Sequence, residues 1–200
     1  MNNTGNSPVT GILLAAGRGS RFDASGRQDK LLHMLPTGDT VVAASAKKMM
    51  AVLPRVVAVV RPQAEDVAAC LRALGCEVTE CAQAGQGMGA SLVHALAHAS
   101  DAAGWLIALG DMPFVQRETL QALATRLAQE GGIVAPVYLG RRGNPVGFGR
   151  QYLPQLLTLG GDQGARRLLQ TYPVTDIAVD DPGVTLDIDT PADVEAQYRT

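Results

Sequence analysis

Thr10-Gly11-Ile12-Leu13-Leu14-Ala15-Ala16-Gly17-Arg18-Gly19-Ser20-Arg21-Phe22 is the stretch of this 200-residue chain whose reading sets the fold class. Residues 10–15 form an apolar run of strand length that stops abruptly at Gly17-Arg18-Gly19, so the segment reads as a buried strand entering a glycine-rich loop. The alternation continues downstream. A helix over 41–50 precedes a second buried strand at 56–61, then a helix over 63–74 with Val67, Leu71 and Leu74 on one face, then a strand at 76–80. A glycine-rich loop at 85–89 leads into a helix over 90–99. The apolar run 104–109 ends in Gly110-Asp111-Met112-Pro113, ahead of a helix over 116–129 with Leu120, Leu123 and Leu127 at helical spacing. Continuously apolar strands need cover on both faces, which implies a three-layer α/β/α arrangement around a mostly parallel sheet. Right-handed crossovers then gather the strand-to-helix loops 17–30, 82–90 and 110–113 at one edge, where ligands bind in such folds. The second half is less regular, with a β-like run at 132–138 and a hairpin partner at 144–148. Helices near 151–157 and 163–170, a final strand at 184–188 and a closing helix over 192–198, capped by Thr190 ahead of Pro191, complete the reading. Residues 1–9 are expected to be a flexible tail ahead of one domain, 10–200.

The composition is that of a packed globular chain, 46% hydrophobic and 18% charged with few aromatics. A formal net charge of −2 supplies no field to draw the chain to nucleic acid or an anionic membrane. A phosphate-bearing partner must then be held by a local cluster of cations, and small molecules are the expected partners. Residues 1–10 are polar and lack the basic start of a secretory leader, and the apolar stretches around 51–60 and 105–109 fall far short of a membrane span. The expected location is the cytoplasm. Cys70, Cys76 and Cys81 match no zinc spacing and read as reduced, buried thiols. His94 and His98 share a helical face but lack further metal ligands, and His33 has no obvious metal partner.

The first loop carries the first chemistry. Its glycines let backbone N–H groups approach an anion, and Arg18, Arg21 and Lys30 surround it with positive charge. It is not the nucleotide P-loop, which needs Gly-Lys-Ser/Thr after its second glycine, nor the dinucleotide fingerprint, which needs a third glycine where Phe22 stands. A triphosphate attacked at its α-phosphorus gathers charge on its equatorial and leaving oxygens, which Arg and Lys stabilise. The same residues also suit a plain glycine turn with solvated charges. Asp111 ends the strongest apolar strand, where a lone carboxylate is costly unless a cation meets it. Mg²⁺, which takes one or two carboxylates with phosphate oxygens and waters, suits that place, and a turn cap ahead of Pro113 is the other use of such an aspartate. By strand alternation Asp187 and Asp189 share a face opposite Leu186 and Ile188. Asp193 falls in the first turn of the last helix, where the helix dipole favours a carboxylate.

The string Leu14-Ala15-Ala16-Gly17-x-Gly19-x-Arg21, with Lys30 nine residues on, resembles the signature of the MobA-like nucleotidyltransferases, typified by the molybdenum cofactor cytidylyltransferase and guanylyltransferase. The resemblance continues in order through Gly87-Met88-x-x-Ser91-Leu92, Asp111-Met112-Pro113, Gly161-Asp162-x-Gly164-Ala165-Arg166 and Asp187-Ile188-Asp189-Thr190-Pro191. It implies a Rossmann-like nucleotidyltransferase fold in which Arg21 and Lys30 bind the triphosphate and act with Asp111 in catalysis. It further implies that Leu14, Ala15, Ala16, Gly17, Arg18, Gly19, Gly87 and Ser91 line the nucleotide, and that Asp111 and Asp189 ligate Mg²⁺, with Asp187 the runner-up to Asp189. Ala15-Ala16-Gly17 is similar to members that use CTP, whereas GTP users have Ala-Gly-Gly. Arg142, Asn144, Pro145 and Arg166 fall where the acceptor would bind, although Asn144 replaces the histidine usual in the cytidylyltransferases. The reaction so implied transfers CMP from CTP to molybdopterin. GTP, a sugar or polyol phosphate acceptor, and a non-catalytic factor that serves a molybdenum hydroxylase as a transient partner are the alternatives.

Overall fold

A computed structural model describes residues 8–23, 28–161 and 164–198. Most of the expected tail lies outside these residues, as do Asp162 and Gln163, while Val9 already belongs to the first strand.

The β-branched and apolar runs form β1 (Val9–Ala15), β2 (Val56–Val60) and β4 (Gly104–Leu109), and β3 (Glu77–Glu80) is shorter and more polar. Between them stand α1 (Val41–Met50), α2 (Glu65–Ala73) and α3 (Met88–Ala97), and α4 (Arg117–Glu130) follows β4. The later elements are β5 (Ile133–Tyr138), β6 (Arg141–Arg142), β7 (Val146–Gly149), α5 (Leu153–Leu156), α6 (Arg166–Thr171), β8 (Thr175–Ala178) and α7 (Pro191–Tyr198). The sheet runs β3-β2-β1-β4-β7-β5-β6, and β8 also pairs with β5. The β1–β2, β1–β4, β2–β3 and β5–β8 pairs are parallel, whereas β7 is antiparallel to both β4 and β5.

Register and alternation together divide the core. Leu13, Ala58 and Ala108 lie level across β1, β2 and β4 and pack with residues of α1, α2 and α4, among them Val42, Ala46, Leu71 and Leu123. Their sequence neighbours Ile12, Val57 and Ile107 face the opposite side, against Leu92 and Leu96 of α3, Leu156 of α5 and Leu168 of α6. Both sheet faces are thus dry, as continuously apolar strands require. From β1 the chain winds outward to β2 and β3, then crosses back to β4 on the other side of β1. The carboxyl ends of β1 and β4 therefore flank the topological switch point, where an open α/β sheet leaves its crevice. Among the described residues no helix is long and apolar enough to cross a membrane.

Two expectations are corrected. Residues 184–188 form no strand: Pro182–Thr185 is a 3₁₀ turn, and the chain then runs extended outside the sheet. The pattern misleads because Val184 and Ile188 are buried by direct insertion into the core. Their backbone groups bond to loops instead of a ladder, with Asn144 N–H donating to the Val184 carbonyl at 2.8 Å and Ile188 N–H to the Asp111 carbonyl at 2.9 Å. The last strand is β8, whose mostly exposed Thr175-Asp176-Ile177-Ala178 sequence lacks an apolar signature. Residues 144–148 do pair with β5 through Ile133↔Phe148 and Val134↔Gly147, but the tight turn belongs to β6, and β7 wedges between β5 and β4.

Candidate active site

Three loops and the segment before α7 supply the site. After β1 the chain leaves the sheet at Ala16, turns through Gly19 at φ +62°, and carries the exposed Arg18 and Arg21. It returns in a 3₁₀ turn, Lys30–Leu32, capped by Asp29, whose Oδ1 accepts the Leu31 N–H at 3.0 Å. That cap sets the direction of Lys30, a lysine only 7% exposed. Its Nζ donates to Asp111 Oδ2 at 2.6 Å and to Asp189 Oδ1 at 3.2 Å, and Arg21 Nη1 reaches Asp189 Oδ2 at 2.5 Å.

Asp111 is held from beneath. Ser45 Oγ on α1 donates to the Gly110 carbonyl at 3.1 Å, and Lys48 Nζ, one turn further on, donates to the Pro113 carbonyl at 2.6 Å. Burial lowers the Lys48 pKa despite the opposing pull of Asp181 and Glu118. Asp189 is held from the C-terminal side. Asp193 Oδ2 accepts the N–H groups of Asp189 and Thr190 at 2.9 and 2.6 Å and the Thr190 hydroxyl at 2.9 Å. Those backbone bonds draw the Asp193 pKa below its ordinary value.

The charge balance of this cluster shows what it can bind. Burial by itself lowers the Lys30 pKa, but the Asp111 charge and the hydrogen bonds that Lys30 donates to Asp111 and Asp189 outweigh it, so the ammonium is held above its ordinary range. Two carboxylates from distant parts of the chain thus converge on one cation. Asp111 Oδ1 is buried with no hydrogen-bond partner, an expensive arrangement for a charged oxygen and the one a divalent ion relieves. Among the described residues no group of three or more His, Cys, Asp or Glu could hold a metal. A pair of carboxylates is what Mg²⁺ or Mn²⁺ uses when phosphate oxygens and water complete its shell.

Beside this cluster lies a cleft of about 370 Å³. Leu14, Ala15, Ala16, Gly17 and Arg18 form one wall, Gly87 and Ser91 another, and Lys30 and Asp111 the floor. Gly87, with φ 114° and ψ 175°, adopts a conformation that suits glycine, and it turns the chain so that the N-terminus of α3 opens on the cleft. Ser91 is 4% exposed in the first turn of that helix. Gly19, Arg21 and Asp189 adjoin the cleft through Lys30, while Asp187 is exposed and outside the cluster.

The residues expected to bind the acceptor do not converge in the same way. Arg142 is taken by Asp176 in an exposed two-point ion pair, at 2.6 and 3.2 Å. Asn144 and Pro145 border a void of about 10 Å³ above Ser45 and Lys48, and Arg166 is exposed at the start of α6. Reading the sequence missed Ser45, Lys48 and Arg61. The last was within reach, since a charged residue directly after an all-apolar strand lands on the ligand edge.

Comparison with known proteins bears on the family. The purine catabolism protein PucB of Bacillus subtilis is 35% identical over 125 residues, covering 61% of this chain and 60% of PucB. The bifunctional protein GlmU of Geobacter sulfurreducens is 32% identical over 144 residues, covering 71% of this chain and 29% of GlmU. The chain thus matches less than two thirds of the length of either relative. The crystal structure of Rv0371c from Mycobacterium tuberculosis H37Rv superimposes with a TM-score of 0.80 at 29% identity, covering 97% of this chain and 100% of that one. The same protein in complex with manganese gives 0.76, over 95% and 97%. Residues 11–177, from within β1 into β8, match the MobA-like NTP transferase domain, and the chain belongs to that family of nucleotidyltransferases.

Proposed function

We propose that the chain transfers CMP from CTP to a terminal phosphate of molybdopterin, with Mg²⁺ and release of pyrophosphate. The observation that carries this reading is the convergence of Asp111 and Asp189 on Lys30 and Arg21 beside the cleft. Asp111 and Asp189 would hold the metal ion, which supplies charge neutralisation to the phosphates. The wall 14–18 and the N-terminus of α3 present backbone N–H groups to the nucleotide. Lys30 and Arg21 bind the β- and γ-phosphates. An oxygen of the acceptor phosphate attacks the α-phosphorus, the bond from that phosphorus to the bridging oxygen breaks, and the two cations stabilise the departing pyrophosphate. No residue need become covalently bound, so the chain acts by placement and electrostatics. Ala16, which lines the cleft, supports CTP over GTP through its likeness to CTP users. This reading sets the enzyme in the cytoplasm with its product passing to a molybdenum hydroxylase.

The test is pyrophosphate release with CTP, GTP and ATP, each offered molybdopterin or a sugar phosphate, in the presence of Mg²⁺. CTP with molybdopterin should give the highest kcat/KM. Preference for GTP would overturn the choice of base, and preference for a sugar phosphate the choice of acceptor. Triphosphate binding without pyrophosphate from any pair would make the chain a carrier and not a catalyst.

A further inference from the structure

Arg61 follows β2 directly, and because β2 pairs with β1 in parallel, the two strands end at the same edge of the sheet. Its guanidinium spans two partners. Nη2 donates to Asp29 Oδ2 at 2.8 Å, and Nη1 donates to the Gly17 carbonyl at 3.2 Å. Gly17 belongs to the first wall of the cleft, and Asp29 is the cap of the turn that carries Lys30. One side chain rooted in the sheet therefore pins both ends of the loop. The side chains of this pair are 27% and 14% exposed, so solvent screens the contact only in part.

The two bonds have separate consequences. In a trans peptide the carbonyl and the next N–H point in opposite directions, so fixing the Gly17 carbonyl leaves the Arg18 N–H on the side away from Arg61. Arg61 does not line the cleft, whereas Gly17 and Arg18 do. Fixing Asp29 holds the cap of the turn from which Lys30 reaches the carboxylates of Asp111 and Asp189. A triphosphate bound across this edge meets the loop backbone at one point and the lysine at another. The distance between the two must be set before the ligand arrives.

We propose that Arg61 is a positioning residue that fixes the spacing between the first-loop backbone and Lys30, and so sets the affinity for the triphosphate. The proposal rests on the nucleotidyltransferase reading above. A planar fork suits this task and a point charge does not, since a lysine ammonium cannot hold two acceptors in a rigid geometry.

The experiment measures CTP binding by calorimetry with Mg²⁺ and no acceptor, and pyrophosphate release under steady state, for wild type, Arg61→Met, Arg61→Lys, Asp29→Asn and the Arg61→Met/Asp29→Asn pair. Arg61→Met should raise the Kd and KM for CTP by roughly ten-fold while kcat at saturating CTP stays within about two-fold, because uniform binding is what is lost. Arg61→Lys should fall between the two. The double variant should be no weaker than Arg61→Met alone, since both substitutions remove one shared bond. An unchanged Kd, a fall in kcat at constant KM, or additive losses would each overturn the proposal. Should Arg61→Met fail to fold, Asp29→Asn, which keeps the oxygen that caps Leu31, must show the rise in Kd by itself. If wild type binds neither CTP nor GTP, the nucleotidyltransferase reading falls instead, a different result from wild-type binding that Arg61→Met leaves intact.

Discussion

Lys30 holds together groups that the chain supplies from three separate places, and its environment decides what each can do. A buried ammonium between Asp111 and Asp189 holds two carboxylates from distant parts of the chain close together. Replacing Asp111 by Asn keeps the shape and removes the charge. Pyrophosphate release should fall by at least ~10²-fold, the usual scale for removing a preorganised charge contact, while circular dichroism shows the fold retained. The same loss is expected for Asp189→Asn, whereas the exposed Asp187→Asn should stay near wild type, and parallel assays of the three decide between the neighbouring aspartates. Far from this site, burial and then the neighbouring Cys70 push the Cys76 thiol up to about 11. Alkylation at neutral pH, followed by peptide mass mapping, should label the partly exposed Cys70 well before Cys76. Equal labelling would mean that the α2–β3 corner opens on that timescale.

At the scale of elements, the segment 181–189 behaves as a strap across the sheet edge. Asp181, 1% exposed, anchors its start by accepting from Gln116 N–H at 2.8 Å, the Thr119 hydroxyl at 2.7 Å and Gly183 N–H at 2.9 Å. Gly143 lies against it so closely that an added Cβ would stand 2.1 Å from the Val184 carbonyl oxygen. Gly143→Ala should therefore destabilise the fold by about 1–3 kcal/mol and lower activity through Asp189, as denaturant titration beside the pyrophosphate assay would register. A wild-type value in both would show that the strap yields. On the opposite side of the sheet, His94 and His98 share the Thr79 hydroxyl, at 2.7 and 3.3 Å. Burial and then His98 depress the His94 pKa below 6.5. The unfolded chain thus takes up the proton first, so stability drops as pH falls through 6.5 toward the folded value. Thermal melts between about pH 7 and pH 5 should show a smaller drop for His94→Gln than for wild type.

The strands β1, β2 and β4 were legible because nearly all their residues face protein, so hydrophobicity and secondary structure coincide, and the loops after them were legible as the abrupt ends of those runs. Asp111 was legible for the same reason, as a carboxylate at the end of a dry strand. The strap was not, because Val184 and Ile188 are buried by insertion and alternate like a strand that they do not form. β8 was not, because an edge strand with exposed Thr175, Asp176 and Ala178 carries no alternating apolar face. Ser45 and Lys48 act on backbone carbonyls some sixty residues away, and no local pattern marks such bonds.

For the molecule as a whole, the cluster joins the first loop, β4 and the C-terminal segment, so whatever occupies it is linked to global stability. Arg21 and Lys30 already neutralise Asp189, and Lys30 one oxygen of Asp111, so a metal ion entering without a nucleotide competes with these cations for the carboxylates. In the proposed reaction a triphosphate would remove that competition by offering Arg21 and Lys30 its own oxygens. Mg²⁺ by itself should then shift the melting temperature only slightly, and CTP without metal should shift it modestly. The two together, at about a hundred times their joint Kd, should add roughly 2.7 kcal/mol. For a domain of this size that corresponds to a rise of about 5–10 °C. In Lys30→Met the order should change: Mg²⁺ alone gains affinity for the freed carboxylates, and the additional effect of CTP shrinks. Differential scanning of both proteins against Mg²⁺, CTP and the pair reads all of these terms in one series. A full shift with Mg²⁺ alone in wild type would show that Lys30 is no competitor for the metal.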